Sequence, residues 1–424
     1  MTSSSIILMS LSIALLSGLL LSRVVKKLQL PAVTAYLIAG ILIGPFVLGS
    51  FDIPGLGITH GQLAGFSIIC DLALGFIAFS MGNEFRLSHL KKIGKQATVI
   101  GIFQAVFTCL LVDAFLIGLY FIMPHKLPLS SAIVLGAVAT ATAPAATLMV
   151  VRQYKAKGPL TDILLPVVAL DDAVGLMVFA ISFGVAKSLN VGSVDVISVV
   201  VEPLLEVVLS LGLGLLMGYL FTLTEKFFHS RSKRMAVTVT FVMMTVALAN
   251  MKFEVFGLHV AFSSLLACMM LGTIFCNICD FSSELMDRAD RWVTPILILF
   301  FVISGAELDL SVFGDIAIVV IGLVYILSRS LGKYFGAGIS AKATKCDPNI
   351  VKYLGITLLP QAGVALGMAI KATELGPEGN VVRNITLFAV LIYELVGPFL
   401  TKVSLTKAGD IKPEGKTSAR VIAE

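Results

Sequence analysis

Charge is scarce in this chain: Asp, Glu, Lys and Arg make up 13% of its 424 residues, where about a quarter is usual for a soluble domain. With 57% hydrophobic residues and a mean hydropathy of +0.98, a water-soluble globular fold is excluded, and lipid is the solvent for most of the chain. Also missing are segments of about 9 to 11 residues alternating polar with apolar, which a membrane β-barrel requires. Cys276 and Cys279 form a lone CxxC with no second pair to complete a metal site. All six cysteines (Cys70, Cys109, Cys268, Cys276, Cys279, Cys346), most of them inside apolar runs, are read as reduced packing residues. The first apolar run, 6–21, has no basic flank before it and no small-residue cleavage site, so a retained helix is expected.

What is present is a succession of apolar runs long enough to cross about 30 Å of hydrocarbon as helix. Hydropathy gives about thirteen, at 6–22, 32–49, 62–81, 99–123, 131–151, 160–184, 197–223, 236–251, 258–277, 293–306, 316–341, 351–370 and 382–401. The fold class is therefore an all-α membrane bundle. In a soluble protein the net charge of +5 would suggest nucleic acid as a partner, but here its distribution encodes topology. With the N-terminus placed outside, twenty-four Lys and Arg residues fall on the inner side and five on the outer, leaving Arg329 and Lys333 within a helix. The C-terminus is then cytoplasmic. Thirteen helices divide into six, one and six, with the second six starting on the opposite side from the first. Two inverted six-helix repeats joined by a linker helix are expected. The tail 405–424 is short and charged, and no nucleotide-binding domain is expected after it.

Each ionisable group inside such runs needs a reason, since a carboxylate at a helix centre costs about 2.5 to 3.5 kcal/mol. Asp171 and Asp172, in LPVVALDDAVGLMVF, fall mid-run, about 100° apart around a helix, so one can face a water-filled cavity and the other a partner. Candidate partners are Arg329 and Lys333, four residues apart on one helical face. Lys333 suits proton-linked chemistry because a desolvated ammonium can lose its proton, whereas Arg stays charged; snorkelling to the interface is the alternative for either. Asp71, Asp113 and Glu394 are further buried acids, with Glu394 the first candidate for an accessory role. Asn83 and Glu84 read as a solvated helix end.

Two runs contain helix breakers. The fifth, GAVATATAPAATLMVV, carries Pro144, and the twelfth, ITLLPQAGVALGMAI, carries Pro360 and Gly363 around Gln361. Each is the fifth of its six, and matched interrupted helices in inverted halves point to a transport site where they cross. Half-helix ends bring dipoles into the midplane that need countercharge or polar caps, for which Asp172, Thr140, Thr142 and Gln361 are suitable in type.

LPAVTAYLIAGILIGP (30–45), LALGFIAFSMGNEF (72–85), TATAPAATLMVVRQ (140–153), ALDDAVGL (169–176), FVISGAELDL (301–310), LGKYFGA (331–337) and LLPQAGVALG (358–367) together resemble the monovalent cation/proton antiporter-2 family, which holds bacterial sodium/proton and potassium/proton exchangers. The resemblance spans nearly the whole chain. It implies a homodimer in the bacterial inner membrane, with dimerisation helices in 1–97 and 235–312, a linker helix in 186–234 and a moving core in 98–185 and 313–404. It further implies elevator-like, electrogenic exchange, with Asp172 binding the cation or protons and Asp171 paired with Lys333. Two positions depart from the family: Ala143 stands where an aspartate is common, and Gln361 where a glutamate is frequent.

The expectation is competition: Asp172, helped by Asp171 and by Thr140 and Thr142 oxygens, holds protons or a dehydrated sodium, potassium or lithium ion, never both. Oxygen ligands suit such hard cations. No cofactor, no nucleic acid and no enzymatic activity are expected, and lipids are the other partner. An intramembrane aspartyl protease needs facing aspartates on separate helices, and a channel needs a continuous pore. A sodium-coupled organic-anion symporter would show more polar or basic midplane residues.

Overall fold

In the computed structural model, residues 3–27, 31–51, 57–191, 202–251, 253–255, 258–260, 262–308 and 314–412 are described. The helices are α1 (Ser3–Lys27), α2 (Ala32–Ile43), α3 (His60–Gly82), α4 (Leu87–Tyr120), α5 (Leu129–Val138), α6 (Pro144–Gln153), α7 (Pro159–Val191) and α8 (Glu202–Lys226). They continue with α9 (Arg231–Ala249), α10 (Ser264–Ile278), α11 (Ser282–Glu307), α12 (Ile316–Ala343), α13 (Pro348–Thr357), α14 (Gly363–Ala372) and α15 (Pro377–Ala408). Among the described residues, 10 helices are long and apolar enough to cross a membrane.

Both interruptions lie where the prolines put them. Pro144 occupies the first turn of α6, where its missing N–H would have no partner anyway, and Ala143 is extended before it. The second gap runs from Leu358, the C-cap of α13, to Ala362 before α14, with Pro360 inside it. α13 itself starts on an Asp347 cap, whose carboxylate accepts from Asn349 N at 2.8 Å.

Several expected boundaries are corrected. The ninth run was expected from residue 258, but Leu258–Val260 is a short strand paired antiparallel with Phe253–Val255, and α10 begins only at Ser264. Apolar content alone had joined hairpin to helix. α4 begins at Leu87 rather than 99, because the polar stretch before the apolar run continues the same helix. Arg288 and Arg291, expected in a loop, lie in the first turns of α11. α15 continues to Ala408, past the expected start of the tail. The opening of the seventh run, 197–201, and the tail from 413 lie outside the described residues.

The segment after α15 turns back into the protein. Asp410 is buried, and its Oδ2 accepts from Thr161 N at 2.6 Å and Thr161 Oγ1 at 2.7 Å, capping the start of α7. Asp410→Ala is therefore expected to lower stability by about 1 to 2 kcal/mol, read from thermal unfolding of the purified protein; an unchanged midpoint would show that the cap is idle.

Around the interruptions, α4 packs on α12 and α7, α5 on α7 and α4, and α12 on α13 and α15. Elsewhere α10 packs on α8 and α3, and α11 on α2, α3 and α1. The α4–α12 contact is close because of two glycines. A Cβ on Gly332 would meet Thr108 Cα at 2.9 Å, and one on Gly336 would meet Gln104 Cα at 3.0 Å. With no side chain at these positions, the residue before Lys333 and the third after it, the α4 backbone can lie against α12.

Candidate ion-binding site

Where the chain breaks in α5–α6 and α13–α14, the two gaps touch: Ala143 N donates to Pro360 O at 2.8 Å. α5 and α13 point their C-terminal ends, carrying partial negative charge, towards the crossing. Arg329 meets them. Its guanidinium donates from Nε to Ala139 O at 2.9 Å, from one terminal nitrogen to Leu359 O at 2.7 Å and from the other to Ala141 O at 2.7 Å. Its guanidinium carbon also lies 4.5 Å from the centre of the Tyr393 ring. Arg329 does not snorkel: it is 0% exposed, and among the described residues its hydrogen bonds go to backbone carbonyls of both gaps rather than to a carboxylate. Gln361 does related work, its Nε2 donating to Val138 O at 3.0 Å and to Tyr325 Oη at 2.9 Å. The amide thus caps α5 where a glutamate would set a negative charge against carbonyls.

One turn along α12, Lys333 and Asp171 form an ion pair of 2.9 Å with both side chains 0% exposed. Lys333 Nζ also donates to Thr140 O at 2.6 Å and to Thr142 Oγ1 at 2.9 Å, and the Thr142 hydroxyl donates to Asp171 Oδ2 at 2.6 Å. The unwound residues 140–142 therefore supply ligands that a continuous helix would hide: the carbonyl of Thr140 is free to accept only because the helix has stopped. The Thr140 hydroxyl is used locally, donating to Ala137 O at 2.7 Å.

Of the expected site residues, the structure brings together Asp171, Lys333, Thr140 and Thr142, with Arg329, Gln361, Pro144 and Pro360 framing the crossing. Gly363 opens α14 at its edge. Asp172 follows in α7, and its side chain lies outside the described residues. Glu394 is buried on α15 with Oε2 unpartnered, and no hydrogen bond among the described residues links it to Asp171 or Lys333. Asp71 is exposed and Asp113 accepts from Cys109 Sγ at 3.5 Å, so neither joins the group. Gln104, on α4, was not anticipated. Its Nε2 donates to Asp171 Oδ1 in a short contact. A lone glutamine in an apolar run was the available signal, and only the packing of α4 on α7 gives it meaning.

A narrow apolar crevice reaches the crossing, lined by Ala143, Pro144, Ala362 and Gly363 on one side and by Met81, Met269 and Phe300 on the other. Asp171 and Lys333 are not among the residues that line it.

A bundle of apolar helices with a buried ion pair beside two crossed, interrupted helices is a multi-pass integral membrane protein. Residues 11–407 match the family model described as "Sodium/hydrogen exchanger, transmembrane", and the chain belongs to that family. The match bears out the cation/proton antiporter kinship carried by the motifs, with the family model nearer the antiporter-1 type than the antiporter-2 label. Among curated relatives, the Na(+)/H(+) antiporter NhaS4 of Synechocystis sp. is 24% identical over 413 residues, covering 94% of this chain and 96% of the relative. The Na(+)/H(+) antiporter of Enterococcus hirae is 23% identical over 394 residues, covering 90% and 93%. Among solved structures, the sodium proton antiporter MjNhaP1 of Methanocaldococcus jannaschii at pH 8 superposes with a TM-score of 0.67 at 18% identity, over 96% of this chain and 97% of that one. That likeness shows a shared fold.

Proposed function

We propose that this protein exchanges protons for a monovalent cation, sodium first and potassium or lithium as alternatives, across a bacterial cell membrane. The observation that carries the reading is the buried Asp171–Lys333 pair beside crossed helix breaks. A charge pair in hydrocarbon is expensive to keep and is a functional site by default. Names of relatives support the cation and the proton. Asp172 is the residue assigned to the cation or the proton, with Asp171 and the oxygens of Thr140 and Thr142 beside it. Lys333 neutralises Asp171 while the cation is absent, and its lysine chemistry supports a cycle that moves net charge.

Counting α10 and the two interrupted pairs as three more crossings gives the thirteen spans of the repeat reading, with the N-terminus outside and the C-terminus in the cytoplasm. The packing groups support a core of α4–α7 and α12–α15 moving elevator-like against a dimerising scaffold of α1–α3 and α9–α11, with α8 as linker. Such motion must break what joins the two at the end of α6. There Arg152 pairs with Asp290 of α11 at 2.8 Å, and Ala32 N donates to Gln153 at 2.8 Å, while within the scaffold Ser80 Oγ of α3 holds Asp290 at 2.7 Å. The pair is partly exposed, so it is worth about 1 kcal/mol at most. Asp290→Asn is accordingly expected to speed hydrogen exchange of the α6 end by up to about fivefold, measured by mass spectrometry; unchanged exchange would show that this contact does not hold the core.

The function itself is tested in proteoliposomes carrying an imposed proton gradient. Sodium, lithium or potassium added to the wild type should collapse the gradient, and Asp172→Asn should not respond. If no cation acts on the wild type, antiport is wrong.

A further inference from the structure

Asp171 is held through both oxygens, by donors of unequal kind. Oδ2 accepts from Lys333 at 2.9 Å and from Thr142 at 2.6 Å, while Oδ1 accepts from Gln104. Lys333 can lose its proton. The Thr142 hydroxyl can rotate, with Leu358 O at 3.4 Å as its other acceptor. Gln104 can do neither. Its side chain is buried, Nε2 also donates to Gly101 O at 3.1 Å, and α12 closes over its Cα at Gly336. Turning the amide over would set Oε1 against the carboxylate and the Gly101 carbonyl, acceptors facing an acceptor, so both neighbours fix its orientation. Among the described residues Oε1 is left buried and without a hydrogen-bond partner, as expected of a side chain kept for its donor.

We propose that Gln104 is a positioning residue that keeps Asp171 a carboxylate throughout the transport cycle, so that exchanged protons ride on other groups. An oxygen that accepts from an amide N–H cannot carry its own hydrogen along the same line, and Oδ2 already faces two donors. Hydrogen bonds to the charged carboxylate favour it over the neutral acid, and Gln104 supplies the one such donor that can neither ionise nor turn away. The charged groups acting on Asp171 from the packed helices are Lys333 and Arg329, both on α12, and Asp172 follows it on α7. When Lys333 gives up its proton, Gln104 is the donor that stays, and the proton leaves the pair instead of moving across it. This role rests on the exchange reading, but the protonation of Asp171 can be measured without transport.

The test is an infrared pH titration of the purified full-length protein, following the carbonyl band of a protonated carboxyl assigned to Asp171 by its loss in Asp171→Asn. Gln104→Met fills the same space without a donor, and its band is expected to appear about one to two pH units higher than in the wild type, the size expected for one hydrogen bond to a charged group. Coincident titrations would overturn the proposal. If the Met variant does not fold, Gln104→Asn, which withdraws the amide by one methylene, should shift the same way. Sodium-driven proton flux measured on the same preparations separates the two readings. Flux in the wild type with coincident infrared curves leaves antiport standing and removes the role of Gln104. No flux in the wild type removes antiport, and the infrared shift still decides whether Gln104 holds Asp171 ionised.

Discussion

Arg329→Leu is expected to destabilise the protein by about 3 to 5 kcal/mol, the range seen when one side of a buried charged contact is removed. Three carbonyls from two different helix gaps converge on this guanidinium, at 2.7 to 2.9 Å. Leucine would leave them buried and unpaired in a medium with no water to replace the donor. The ends of α5 and α13 would also lose their countercharge. Arg329→Lys keeps the charge but offers a compact ammonium instead of a planar fork, so it should fall between leucine and the wild type. Thermal unfolding in detergent orders the three proteins; a leucine variant as stable as the wild type would show that the gaps hold without Arg329.

Lys333→Met should be comparably damaging for a different reason, because Asp171 is left as an uncompensated buried carboxylate, again about 3 to 5 kcal/mol. Removing the second charge should reverse this. Asp171→Asn with Lys333→Met is expected to recover most of the lost stability, since a neutral pair carries no desolvation penalty, and the double-mutant cycle then yields the coupling between the two side chains. Additive losses would mean that the pair seen at 2.9 Å contributes nothing as a pair. The same double variant should fail to exchange cations, which separates folding of the crossing from use of its charges.

The charges and breakers of this site were legible in the sequence because a bilayer makes them conspicuous. Asp171, Lys333, Pro144 and Pro360 each violate the rule of the apolar run that contains them; the two proline breaks pair once their runs are seen as counterparts, while the choice of Lys333 over Arg329 as the partner of Asp171 came from the family resemblance. The role of Arg329 was not legible, because its partners are backbone carbonyls exposed only where two distant segments stop being helical and cross. Gln104 was hidden for a similar reason. Nothing in GIFQAVFTCLL distinguishes it from a glutamine bonded within its own helix, and its approach to Asp171 depends on α4 packing against α7, where a Cβ on Gly101 would meet Leu170 Cβ at 3.3 Å. Helix ends were misjudged where amphipathic turns prolong a span, as at Leu87, and where an apolar hairpin adjoins one, as at Leu258.

The central claim is that proton and cation compete for one site at Asp172, and the most direct test is the apparent KM for sodium measured in proteoliposomes across a range of pH. Competition with one proton predicts a KM that rises by about tenfold per unit of falling pH on the acid side, while the maximal rate at saturating sodium holds, because each ligand must weaken the other equally. A KM independent of pH, with only the maximal rate changing, would mean that proton and cation occupy separate sites and would contradict the account.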